Sequence, residues 1–169
     1  FYGESGGQVG DTGRMTTASG AIVDVGDTQR PAADVIVHRG RLSGGELSVG
    51  DTASLSIDGE RRQAIRLNHS ATHLLHAALR NHLGDGVAQA GSLVDAERLR
   101  FDFSHDGAVS DEKLADIEDE VNGVIRANLE VGCQEMPYKD ALASGALAFF
   151  GEKYGDTVRV VRMGDYSVE

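Results

Sequence analysis

Tryptophan is absent from the 169 residues, cysteine occurs once and proline twice. A lone cysteine, Cys133, excludes an internal disulfide and suits a reducing compartment. Long apolar runs are also missing, and nothing approaches the ~20 residues needed to cross a bilayer. No leader peptide is visible, and the chain opens on Phe1-Tyr2-Gly3 without a methionine, so it reads as a piece of a longer protein. Basic residues are in deficit, 16 against 27 acidic, for a formal charge of −11. Binding nucleic acid by counterion release needs clustered Lys and Arg, so a general nucleic-acid binder is excluded. Any RNA contact should be small, or delivered by another part of the parent protein. What remains, 40% hydrophobic residues in a chain of this length, is enough to build a core.

Glycine is the residue in excess, with 22 copies concentrated in the first 60 positions. Short β-branched runs stand between the glycines: Ala21–Val25, Ala33–His38 and Ala53–Ile57. Turns at Ser43-Gly44-Gly45-Glu46 and Val49-Gly50-Asp51 separate them at the spacing of a small barrel or sandwich. The period then changes. Ile65, Leu75, Leu79 and Leu83 recur at helical spacing over residues 60–83, and Gly84 stands where a helix ends in a left-handed residue. Residues 98–103 alternate as a strand. Ser110 reads as an N-cap, and Leu114, Ile117, Val121, Val124 and Ile125 predict one buried helical face. A strand at 131–136, a short helix at 139–144 and a final strand at 157–163 complete the pattern. The expected fold is α+β: a β-barrel-like part, residues 1–60, packed on an α+β part, residues 61–169, with an antiparallel sheet and a long helix.

That helix carries His69-Ser70-Ala71-Thr72-His73. Two histidines four apart lie stacked on one helical face and can bring two imidazole nitrogens to one metal, although core packing produces the same spacing. A metalloprotease needs Glu directly after the first histidine; Ser70 occupies that place, which removes the base. His76 shares the face of His69, but seven residues span about 10 Å of helix, so it reads as a core histidine hydrogen-bonded to backbone. His38, His82 and His105 show no partner by spacing and read as surface or edge residues. Ser5–Gly13 is glycine-rich but lacks the Lys-Ser/Thr ending of a phosphate-binding loop. It is either a run of tight turns or a backbone that approaches a ligand closely. Cys133 sits among strand formers and reads as a small buried thiol.

Together these segments resemble the editing domain of alanyl-tRNA synthetases over the whole chain. The resemblance is carried by Phe1–Gly13, Arg66–His76, Gln89–Val94, Leu99–His105, Phe150–Asp156 and Met163–Glu169. It implies a cytoplasmic hydrolase that deacylates tRNA(Ala) wrongly charged with serine or glycine, within an enzyme that ligates alanine to tRNA(Ala) using ATP. A pocket shaped for a methyl group rejects an isostere with one more hydroxyl by only about a hundredfold, so a second site must remove the error.

The resemblance further implies one zinc ion, with ligands matching His69 and His73 plus a Cys and a His from a Cys-Gly-Gly-Thr-His segment. In the family that segment follows the stretch ending here at Glu169, so two of four ligands are expected in this chain, and Cys133 matches neither of the others. By the same analogy Gln89 lines the editing pocket and Thr72 senses the amino-acid side chain. Gly6, Gly7 and Gln8 lie beside the pocket, and Arg100 and Asp102 orient the tRNA end or the loop. A free-standing trans-editing deacylase and an inactive folded module stay open as alternatives.

Overall fold

The computed structural model describes residues 1–146 and 155–169. Phe150–Tyr154, in the last-but-one resembling motif, therefore lies outside the described residues. The chain divides into two compact units, Phe1–His69 with Gly91–Arg100, and Ser70–Ala90 with Phe101–Glu169.

In the first unit, glycine turns and β-branched residues produce four strands: β1 (Gly13–Thr17), β2 (Ile22–Ala32), β3 (Val35–Gly44) and β4 (Ala53–Ile57). They form one antiparallel sheet in the order β3-β2-β1-β4. β1 is central, with Met15 opposite Val23 on one side and Leu55 on the other. β3 and β4 are its edges, so the expected barrel is corrected to an open sheet. Irregularities in the β2–β3 register, such as that between Val25 and Asp27, twist the long hairpin; they do not bring its outer edge round to β4. Ala21, Val25, Ile65 and Val94 are buried in this unit.

Helix α1 (Gly59–Leu83) is 25 residues long, and the boundary between the units passes along it after His69. Asp58 starts it by accepting a hydrogen bond from Arg61 N at 3.0 Å, which satisfies one of the orphan donors of the first turn. Gly84 ends it with φ +97°, accepted without strain because glycine has no Cβ, and its N–H closes on Arg80 O at 2.8 Å. The two-stranded pair β5 (Ala88–Val94) and β6 (Leu99–Ser104) follows.

The core of the second unit is Ala78, Leu79, Val87 and Ile117, with Leu75, Leu83, Phe101, Phe103, Val109 and Val121 packed around it. Alternation on β6 turns Phe101 and Phe103 inward and leaves Arg100 and Asp102 exposed. Ser110 caps α2 (Asp111–Ala127) by accepting from Lys113 N at 3.3 Å. The buried face of α2 is narrower than its periodicity suggests. Ile117 is buried, but Leu114 and Ile125 are about half exposed, at 48% and 51%, because helical spacing defines a face and not how far its neighbours cover it. The chain closes with β7 (Val131–Pro137), α3 (Tyr138–Ala143), β8 (Thr157–Met163) and β9 (Ser167–Val168), and β7-β8-β9 form an antiparallel sheet.

Candidate functional site

The glycine-rich segment is a built hairpin. Ser5 and Gln8 exchange backbone hydrogen bonds at 3.2 and 3.0 Å around Gly6 and Gly7, whose φ values are +59° and +84°. Two consecutive left-handed residues make the tight turn that glycine favours. At Gly7 a Cβ would also collide with Ser92, because Gly7 O accepts from Val94 N at 2.8 Å and the two backbones lie side by side. The hairpin fixes Gln8, which is 8% exposed, and its Oε1 accepts from His69 Nδ1 at 2.6 Å. An amide oxygen only accepts, so this ring nitrogen carries the proton.

Below it, Asp11 ties the same segment to α1. Its carboxylate accepts from Tyr2 N at 2.6 Å and from Arg62 Nε at 2.7 Å, and it also pairs with Arg62 Nη2. Burial would raise the Asp11 pKa. The Arg62 hydrogen bond, the Tyr2 N–H and nearby positive charge outweigh it and hold the carboxyl below the usual value of 3.8. Asn68 Nδ2 donates to Asp95 O at 2.9 Å.

In the second unit His73 Nδ1 donates to Glu169 Oε2, and His76 Nδ1 lies 3.4 Å from Glu169 Oε1. Glu169 is placed by the sheet, since it exchanges backbone hydrogen bonds with Val161 at 2.7 and 2.9 Å. Burial would raise its pKa, but hydrogen bonding and charge from His73 and His76 keep it below the ordinary glutamate value. His76 is 1% exposed and its ring packs against Phe101 with centroids 5.0 Å apart. It is a core histidine that faces a carboxylate.

Glu120 on α2 gathers three donors: Asn81 Nδ2 and His82 Nε2, both at 2.7 Å, and Tyr166 Oη at 2.6 Å. Burial, followed by the bond to Glu120, pushes the Tyr166 phenol far above its usual 10. His82 thus has a partner 38 residues away that spacing did not reveal.

Thr72 is buried on α1 and Gln89 half-buried on β5. Cys133 corrects the expectation of a buried thiol: it is exposed on β7, where its Sγ accepts from Arg159 Nε at 2.6 Å. Neighbouring residues on β7 are exposed on both faces, so strand-forming composition around the cysteine carried no information about burial.

Histidine ligands of metals usually donate their second N–H to a carboxylate or carbonyl, which leaves the other nitrogen to bind. His69 and His73 both meet that condition through Nδ1. Among the described residues no group of three or more His, Cys, Asp or Glu is arranged to hold an ion. Two histidines four apart on one helix are at most two of the four ligands that a tetrahedral zinc shell needs.

Over its whole length the chain is 56% identical to the alanine–tRNA ligase of Sphingopyxis alaskensis and 54% identical to that of Nitrosomonas europaea. It is 58% identical to that of Magnetococcus marinus over 98% of its residues. The chain belongs to the alanine–tRNA ligase family. Residues 1–61 also match the family model described as tRNA synthetases class II (A). The chain spans about one fifth of the length of these ligases, 20% of the first two and 19% of the third. Its α+β architecture is thus that of one segment of the family, and among the described residues no helix is long and apolar enough to cross a membrane.

Proposed function

We propose that this segment is the editing region of an alanine–tRNA ligase, hydrolysing the ester of serine or glycine wrongly attached to tRNA(Ala). The reading rests on one observation above the others: His69 and His73 stand on successive turns of α1, and each is held through Nδ1 by an oxygen acceptor. Their Nε2 atoms are then the lone-pair nitrogens, suited to a zinc ion whose remaining ligands come from outside the described residues. A bound zinc would supply positive charge to polarise a water or to anchor the substrate.

The chain's own residues have the other roles. The Ser5–Gln8 hairpin presents bare glycine backbone at Gly6 and Gly7, which a nucleotide end can approach closely. Thr72 and Gln89 are polar groups on α1 and β5 that tell a seryl hydroxyl or a glycyl group from an alanyl methyl. Arg100 and Asp102, exposed on β6, orient the acceptor end. With a net charge of −11 the segment holds only that end, and most tRNA affinity lies elsewhere in a cytoplasmic ligase that joins alanine to tRNA(Ala) with ATP.

The test is hydrolysis of Ser-tRNA(Ala) and Gly-tRNA(Ala) by a ligase containing this segment, with zinc content measured alongside. The expected result is one zinc per chain and, after His73→Ala, loss of both the metal and the deacylation. Retention of most of the deacylation by His73→Ala would overturn the reading.

A further inference from the structure

The two histidines are held by partners of different charge drawn from opposite ends of the chain. Gln8 reaches His69 across 61 residues and Glu169 reaches His73 across 96. Neither partner is a loose surface side chain. Gln8 is 8% exposed and fixed by the two-glycine turn, and the Glu169 side chain is 10% exposed with its backbone paired to Val161. Both acceptors are oxygens without a proton to give, so in each ring Nδ1 donates.

We infer that Gln8 and Glu169 are positioning residues that hold His69 and His73 in the Nδ1–H tautomer and fix the rings so that both Nε2 atoms serve the metal. The inference rests on the zinc reading for its purpose, but not for its geometry. It also gives Gln8 a role other than touching substrate. The two histidines are not equivalent ligands. His69 leans on a neutral amide, whereas His73 leans on a carboxylate, which makes its ring the more electron-rich donor. Glu169 in addition sits within 3.4 Å of His76, so the same side chain links a ligand to the core of the second unit.

The experiment is a long-range proton–nitrogen correlation spectrum of the metal-free chain with nitrogen-labelled histidine, at a pH where the imidazoles are neutral. Both His69 and His73 are expected in the Nδ1–H form. Gln8→Met, similar in shape but without an acceptor, should release His69 alone into a tautomer mixture. Glu169→Leu should release His73 alone, and Glu169→Gln, which keeps an oxygen, should retain its tautomer. Dispersed backbone spectra establish that each variant folds, and Glu169→Met, closer in shape and also without an acceptor, should release His73 in its place if Glu169→Leu fails to fold. A parallel cobalt titration of the full-length ligase should show affinity falling about 10–100-fold in Gln8→Met and Glu169→Leu.

Nε2–H tautomers in the parent chain, or tautomers indifferent to both substitutions, would overturn the inference. So would unchanged cobalt affinity alongside released tautomers. A ligase that binds no metal at all would sink the zinc reading instead, while the tautomers still decide whether Gln8 and Glu169 hold the rings.

Discussion

Asp11→Asn changes one atom of a residue that is 2% exposed, and its cost can be worked from the contacts. The aspartate accepts two bonds from the Arg62 guanidinium and one from Tyr2 N. The amide keeps the shape and one oxygen, so it retains one acceptor position and presents an N–H₂ donor where the other carboxylate oxygen stood. Hydrogen bonds to charged groups contribute roughly 1.5–3 kcal/mol each, and breaking a buried ion pair costs about 3–5 kcal/mol. Arg62 keeps 29% of its side chain in solvent, which screens part of that loss. A destabilisation of about 2–3 kcal/mol is expected, a fall in melting temperature of roughly 5–10 °C for a chain of this size.

The pH dependence follows from the sign of the shift. The folded carboxyl titrates below its unfolded value of 3.8, so the native state binds fewer protons. Its stabilisation is complete well above pH 3.8 and is lost as the pH falls through the lower, folded value. The gap between parent and Asp11→Asn in calorimetric melts should therefore be widest near neutrality and shrink below pH 4. A variant melting within a degree of the parent at pH 7, or a gap that widens in acid, would refute the reasoning.

Two further substitutions probe each unit separately. Gly7→Ala puts a Cβ at φ +84° against Ser92, and the strained backbone alone costs of the order of 1–3 kcal/mol, so hydrogen exchange should rise at Val9 and Val94; unchanged protection would contradict the close approach. Ile117→Ala empties the one fully buried position of α2 beside Ala78, Leu79 and Val87, and a loss of about 2–5 kcal/mol in denaturant unfolding is expected, with less than 1 kcal/mol indicating that the core there is not closed.

Elements with a local cause were legible in the sequence. Ile65 and Leu79 announce α1, Gly84 ends it, and Ser110 starts α2, because capping and periodicity act within a few residues. The strand β1 was not foreseen. Gly13-Arg14-Met15-Thr16-Thr17 lacks the Val and Ile runs that mark β2 and β3, and it is extended with β2 and β4 paired to it on both sides. The closure of the sheet was misjudged for a related reason: glycine spacing marks turns, but which strands become neighbours is decided by contacts distant in sequence. At the site the same division holds. The His69–His73 spacing could be read directly, whereas Gln8 on His69, Arg62 on Asp11, Glu120 under His82 and Tyr166, and Glu169 on His73 join residues 38 to 96 positions apart. No local pattern encodes such pairs.

The division of the chain has a consequence for how it can be dissected and made. Each unit is assembled from two separate stretches, so the polypeptide passes from the first unit to the second, back, and out again. No single cut yields either unit intact. A product ending at His69 lacks the strand whose Val94 brackets the glycine hairpin, and one starting at Ser70 carries Gly91–Arg100 without its partners. On the ribosome the first unit is complete only after Arg100 has emerged, by which time the first stretch of the second, Ser70–Ala90, is already outside. Deletion mapping would therefore report the two units as inseparable, and the smallest piece expected to retain the Gln8–His69 contact runs from residue 1 to beyond residue 100.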